Sequence, residues 1–393
     1  MFRFKKNGLT RQVACALFAA GVLGASAGAQ AADVVKVGII LPLSGPIAAQ
    51  GMSTVKGLNA AVKYEDVVNG RKLEVIQLDD ASNPSLTTRN ARKLIDQDKV
   101  DVLIGTGGVP GAMAMATVAA EGKTPMVSFT PINLKPEEAK WVHTVAQSGY
   151  TMVGAVVDEM KRNGVKTVGY IGFSDAWGDA AYGALKKYGE AAGIKIVANE
   201  RYARADNSVA AQVLKVMAAK PDAVLGGGAG TPGALPYLGL AERGYKGAIY
   251  GTHALLSPEF VKLVGAAGEG LIVPTGVVLL GDQLPDSNPS KKIIHEYAKA
   301  YEAANNGAKP YDVFSSYAFD AWEVVAKAIA RIPADVKPGT QAFRDALRDA
   351  INNTKGLVTT QGKYTFTPAS SFGEDKSSIV IAKLEKGKWK LVH

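Results

Sequence analysis

From Val35 onward, short runs of continuous apolar residues alternate with longer stretches whose apolar positions recur at helical spacing. Val35 to Leu43 is the first apolar run. It breaks at Ser44-Gly45-Pro46, and a helix is predicted from about Gly51 to Val68. Strand Leu73–Asp79, helix Pro84–Asp96, strand Val102–Gly105, helix Ala112–Glu121 and strand Met126–Phe129 follow. Unbroken apolar strands between amphipathic helices predict βαβ units around a buried parallel sheet.

A second series of the same kind starts near Thr151. Its predicted strands are Thr167–Phe173, Lys195–Asn199, Asp222–Leu225, Ala248–Tyr250 and Gly270–Val273. Helices Met152–Asn163, Asp179–Ala192, Ser208–Ala218, Pro232–Arg243 and Pro258–Val264 lie around them. Three further helices are predicted near Asn288–Asn305, Tyr311–Ile332 and Gly339–Asn352. A strand-like tail runs from Gly362 to Val392, with a hairpin turn at Glu385-Lys386-Gly387-Lys388.

The late helices are too long to pack on the second series alone, so the chain is expected to return to the first. The expectation is an α/β protein of two Rossmann-like lobes with parallel central sheets, joined by a three-segment hinge. Residues 32–148 and 276–356 form the first lobe, and residues 149–275 and 357–393 the second. Ligands of open α/β sheets bind off the carboxyl ends of the strands. Two such edges facing one cleft make a site that closes around a solute.

The N-terminus has a different pattern. Arg3, Lys5, Lys6 and Arg11 precede the apolar run Val13–Leu23, and small residues lead to Ala29-Gln30-Ala31. This order predicts a secretory signal peptide over residues 1–31 and a periplasmic location. Cys15, the only cysteine, lies within it and is a poor lipid acceptor behind Gln12-Val13-Ala14. The remaining chain has no disulfide, thiolate metal site or cysteine nucleophile. Removing the four leader cations from 45 Lys and Arg leaves 41 against 36 Asp and Glu. They are spread along helices, which predicts solvated faces and no nucleic-acid partner. No stretch of the body reaches the roughly 18 consecutive apolar residues of a membrane span.

Several strand ends carry candidate chemistry. Thr106-Gly107-Gly108 ends a buried strand before a helix, where exposed amides attract carboxylates, and Thr130 adds a hydroxyl. The alternative is a tight turn. Gly228 to Gly233 has G-x-G-x-x-G spacing, but the next strand ends at Tyr250-Gly251-Thr252 without the acid that would hold a ribose. A backbone surface facing a solute is expected there, and no cofactor. Trp177, in Ser174-Asp175-Ala176-Trp177-Gly178, either stacks on a planar solute or packs between lobes. His253 follows a strand end and either pairs with a solute carboxylate or is structural. His143, His253, His295 and His393 lack metal-ligand spacing, so no metal is expected. Asp79-Asp80 reads more simply as a turn cap than as an acid–base pair. No G-x-S-x-G elbow is present.

The order of these segments resembles the leucine/isoleucine/valine-binding proteins of ABC importers, with the type I periplasmic binding fold. The likeness runs from Val35 to Val392. Val37-Gly38-Ile39-Ile40 through Ser44-Gly45-Pro46, Leu78 to Pro84, Ser174 to Gly178 and Gly268-Glu269-Gly270-Leu271 carry it. The resemblance implies solute capture rather than enzyme activity, no cofactor, a monomer, and an inner-membrane ABC permease as partner. It implies that Gly108, Val109, Thr130 and Ile132 hold the solute's carboxylate, and that Gly228 lies in a contact loop. Trp177 stands where the family usually has Tyr, and His253 stands where amino-acid binders place the acid that receives the ammonium. That departure makes an aromatic or other ammonium-lacking carboxylate a candidate beside an amino acid, with Asp175 as a possible substitute acid. The same clamp could serve a sensor that reports solute state to a receptor. A secreted α/β enzyme is the remaining alternative.

Overall fold

A computed structural model describes residues 33–309, 311–367, 371–373 and 378–392. The expected signal peptide, Cys15 and His393 lie outside the described residues. The first sheet contains β1 (Val34–Leu41), β2 (Val67–Val68), β3 (Arg71–Asp79), β4 (Val102–Gly105), β5 (Met126–Ser128) and β6 (Val142–Thr144). Its order is β2-β3-β1-β4-β5-β6, parallel except for the β2 edge. Helices α1 (Ala48–Tyr64), α2 (Pro84–Asp96), α3 (Val109–Glu121) and the single turn α4 (Pro136–Ala139) connect the strands. Strands β1, β4 and β5 are almost wholly buried, as expected for a sheet covered on both faces.

After α5 (Gly149–Arg162) the second sheet begins with β7 (Thr167–Phe173). Then come α6 (Ala176–Ala192), β8 (Lys195–Tyr202), α7 (Ala210–Ala218), β9 (Ala223–Gly227), α8 (Leu235–Glu242), β10 (Ala248–Gly251), α9 (Pro258–Val264) and β11 (Ile272–Thr275). The chain returns through α10 (Ser290–Ala304), α11 (Val313–Ile329) and α12 (Gln341–Asn352) to a hairpin of β12 (Leu357–Val358) and β13 (Lys363–Tyr364). Antiparallel β14 (Val380–Glu385) and β15 (Lys388–Leu391) complete the second sheet, whose order is β15-β14-β11-β10-β9-β7-β8. The turn between these last two strands has positive φ at Lys386 and Gly387, as a tight two-residue hairpin requires. Among the described residues no helix is long and apolar enough to cross a membrane.

Helix α11 explains why the late helices belong with the first sheet. All of its residues except Lys327 are buried, the pattern of a core helix rather than a surface one. It lies against α1, and Gly57 allows the close approach. A Cβ there would stand 1.8 Å from the Ser315 carbonyl oxygen. Inside α11, Asp320 accepts hydrogen bonds from the Thr360 and Gln361 amides and from the Thr359 and Thr360 hydroxyls. Those bonds hold the turn of the β12–β13 hairpin to the first lobe. The chain therefore passes into the second sheet between Phe366 and Val380, later than the pattern near Gly356 suggested.

Candidate functional site

The carboxyl ends of the two parallel sheets face each other across two adjoining hollows. One is lined by Gln50, Gly107, Val109, Phe129, Thr130 and Pro131 of the first lobe, with Phe314 and Tyr317 of α11. Trp177, Arg204, Ala229, His253 and Ala254 face them from the second lobe. Trp177, His253 and Pro131 are shared with the other hollow, where Tyr150, Val153, Thr252, Asn133 and Phe372 also contribute. The cavity volumes are about 30 and 20 Å³. That is room for one or two waters rather than an organic acid. The lobes are thus closed on each other, and they must part for a solute to enter.

In the first lobe, β4 delivers Thr106 and the turn Gly107-Gly108 to the start of α3. Gly108 is the cap residue, and the helix's first amides have no partner within the helix. Their partial positive charge lies at Val109, which lines the cleft beside Gly107. Thr106 is fixed from behind, donating its hydroxyl to Asp80 Oδ2 at 2.7 Å. Asp80 also takes Thr87 Oγ1 and the Ser82 amide, and Asp79 takes the Leu43, Ser44 and Ala81 amides. The paired carboxylates are turn caps, as expected. The Thr130 hydroxyl donates to the Thr106 carbonyl oxygen at 2.5 Å, so the amides are the donors left for a carboxylate.

In the second lobe, Asp175 caps α6 by accepting from the Trp177 and Gly178 amides through Oδ1. Its Oδ2 accepts from Arg204 Nε at 2.5 Å. Asp175 is thus engaged in the helix cap and the Arg204 pair, and it does not line the hollows. Arg204 stands two residues beyond β8, with its Cζ 4.3 Å from the centre of the Phe173 ring. That stacking and the Asp175 bond fix the guanidinium plane and leave its terminal nitrogens unassigned. Trp177 donates Nε1 to the Gly228 carbonyl at 3.2 Å, and the Thr252 hydroxyl donates to the same oxygen at 3.1 Å. The Trp177 ring meets His253 edge to face at 5.5 Å.

Of the eight residues singled out from the sequence, Val109, Thr130, Trp177 and His253 line the hollows. Thr106 and Gly108 are not among the lining residues, although their neighbours Gly107 and Val109 are. Ile132 is buried in the core while its neighbour Pro131 faces the cleft. Gly228 acts through its carbonyl, which positions Trp177. A side chain there would collide with Tyr202 and Gly233, 2.6 and 2.7 Å from its Cβ. Sequence reading missed Arg204, Gln50, Tyr150 and Tyr317. Predicting β8 to end at Asn199 hid Arg204, since the strand runs three residues further to Tyr202. Among the described residues no group of acids, histidines or cysteines could hold a metal ion.

His253 is buried and its Nδ1 has no hydrogen-bond partner, so desolvation pushes its pKa down to about 4. Burial does the same to His143, also to about 4, although a bond to Asn352 opposes it. Both are neutral in the fold and must gain a proton when the chain unfolds in acid. A depressed folded pKa gives stability that is present above pH 6.5 and is lost as pH falls through about 4. Replacing His143 by Gln is expected to remove its share. Between pH 6.5 and 4, H143Q should lose up to about 3 kcal/mol less unfolding free energy than the wild type. Urea titrations across that range measure the difference. Parallel losses in the two proteins would mean His143 is not held neutral.

The comparisons agree with this geometry. The family model described as "Periplasmic binding protein" matches residues 34–388. A Leu/Ile/Val-binding protein homolog from Brucella melitensis is 26% identical over 92% of this chain and 94% of its own. The crystal structure of an extracellular ligand-binding receptor from Rhodopseudomonas palustris HaA2 superposes with a TM-score of 0.88. It is 39% identical, covering 92% of this chain and all of that one. An R. palustris ABC-transporter solute-binding protein, solved with benzoate, has a TM-score of 0.76 at 23% identity. It covers 91% of this chain and 95% of that one, and shares the fold.

Proposed function

The chain belongs to the periplasmic binding protein family, on the branch of the Leu/Ile/Val-binding proteins, and from that premise we propose that it captures a small carboxylate lacking an α-ammonium for an ABC importer. One observation carries the choice of solute. No acid is among the described residues lining the two hollows, whereas Arg204 and His253 both are. An ammonium closed into such a cleft would lose its water without gaining an anion, and Arg204 would repel it. A carboxylate has donors from both lobes: the amides at Gly107 and Val109, and the Arg204 guanidinium. It therefore favours the closed clamp, because closure alone brings the two sets together. Trp177, Tyr150 and Phe372 offer apolar or stacking surface to the solute's body, which favours a planar or aromatic acid. Loaded protein then presents the closed lobes to an inner-membrane permease.

The test compares pairs that share a skeleton and differ in the ammonium: 3-phenylpropanoate with L-phenylalanine, and 4-methylpentanoate with L-leucine. The acids are expected to raise the melting temperature, by an amount equivalent to about 2.7 kcal/mol at a hundredfold excess over Kd. The amino acids should leave it unchanged. His253→Glu should narrow the gap by supplying the missing acid. Amino acids binding as tightly as their ammonium-free partners would overturn the reading.

A further inference from the structure

Two chain segments that pass between the lobes meet the turn preceding the third at one buried point, and that point touches the cleft. Gln147 lies on the first passage, between β6 and α5. Gly276 opens the second, directly after β11. Gln361 sits in the hairpin turn that precedes the third. Gln147 donates Nε2 to Gln361 Oε1 at 3.2 Å, and Gln361 donates Nε2 to Ser316 Oγ at 2.5 Å. Gln147, Ser316 and Gln361 are fully buried. Gly276 lies against both amides with no space to spare. A Cβ there would stand 2.0 Å from Gln361 Oε1 and 2.6 Å from Gln147 Nε2. Tyr317, one of the cleft-lining residues, donates its hydroxyl to Gln147 Oε1. A continuous set of hydrogen bonds thus runs from the cleft wall through the first passage to the hairpin turn before the third, with Gly276 of the second packed against it.

Buried amides cannot exchange their partners for water without cost, so this set favours the lobe arrangement in which every bond is made. Parting the lobes moves the first and second passages, which here are packed on one another and bonded to the hairpin turn before the third. We propose that the Gln147–Gln361 pair, seated on Gly276, is a hinge latch that holds the clamp closed and couples closure to the cleft through Tyr317. Gln147 and Gln361 are positioning residues, since neither lines the hollows. The coupling to a solute rests on the cleft being the capture site. The effect on closure without solute does not.

Gly276→Ala tests the latch, because its methyl group must displace the amide pair while leaving the cleft-lining residues unchanged. The described residues contain no cysteine, so exposed Lys56 and Lys186 can be changed to Cys and labelled for lobe-to-lobe energy transfer. Without solute, G276A is expected to raise the open fraction about fivefold or more, the scale of an ordinary coupling. Gln361→Met removes the amide at similar volume and should open the clamp as well, which keeps the test available if G276A folds poorly. Combining Gly276→Ala with Gln361→Ala should resemble Gln361→Ala alone, since one latch is lost once. Folded variants with the wild-type energy-transfer distribution, or effects that simply add, would overturn the proposal. Opening without solute that leaves 3-phenylpropanoate unbound even by the wild type would support the latch and count against the solute reading instead.

Discussion

Arg204→Gln is expected to weaken carboxylate capture by about two orders of magnitude while leaving the fold intact. Truncating one partner of a desolvated charge pair costs about 2–5 kcal/mol, and each 1.4 kcal/mol is a factor of ten in Kd. Arg204 meets the conditions for the middle of that range. Its side chain is 17% exposed, Phe173 lies against its guanidinium and Asp175 holds Nε. A fixed fork loses little freedom on binding, which is why Lys at this position should not rescue the loss. Asp175 would still accept its two helix amides in the variant, so α6 and Trp177 should keep their places. Asp175→Asn supplies the opposite control. It leaves an acceptor for the cap and removes the charge that competes for Arg204, so carboxylate affinity should rise modestly. Calorimetric titration with the best acid from the paired screen measures both. An Arg204→Gln protein that binds within threefold of wild type would place the recognising charge elsewhere.

Arg204 is legible only in three dimensions. Core strands such as β1 and β4 are legible because both faces are buried and the run is apolar, broken only by Lys36 near the start of β1. β8 is an edge strand whose residues before Tyr202 are exposed or half-buried, so Asn199-Glu200-Arg201 looks like a loop. β6 was hidden for a different reason: it is only three residues long, and two of its buried positions are the polar His143 and Thr144. Trp177 and His253 were legible because each follows a clear strand end. Ile132 and Gly228 were expected in contact loops, but which atom of a loop faces the cleft depends on neighbouring elements. Pro131 faces the cleft because Ile132 is drawn into the core. Gly228 offers its carbonyl inward because the Trp177 indole and the Thr252 hydroxyl both need an acceptor. The hinge pair was invisible for a similar reason. Gln147 and Gln361 are 214 residues apart, and nothing local in either segment signals the other.

Asp320→Asn is expected to be the most destabilising conservative change in the body of the protein. The carboxylate is fully buried in α11. One oxygen accepts from the Thr360 amide and hydroxyl, and the other from the Thr359 hydroxyl, the Gln361 amide and the Tyr364 hydroxyl. Burial pushes its pKa up to about 6, against the pull of these donors, so above that pH it is the charged acceptor they require. Asn has the same shape but one acceptor and one donor group. Hydroxyls can turn to accept from its amide, whereas backbone N–H groups cannot. Whichever way the Asn side chain is placed, its amide nitrogen faces either the Thr360 or the Gln361 N–H. One buried backbone donor is then unsatisfied and a charge-assisted bond is lost, together worth about 3 kcal/mol. For a chain of this size the melting temperature should fall by roughly 3–5 °C at pH 7.5. The damage should be local to the β12–β13 hairpin and the passage after it, so amide exchange at Thr360 and Gln361 should quicken well before that of β1 or β4. Unchanged exchange at those two amides, or melting within 2 °C of wild type by scanning calorimetry, would mean that the hairpin is held by its own packing and that Asp320 is incidental to the hinge.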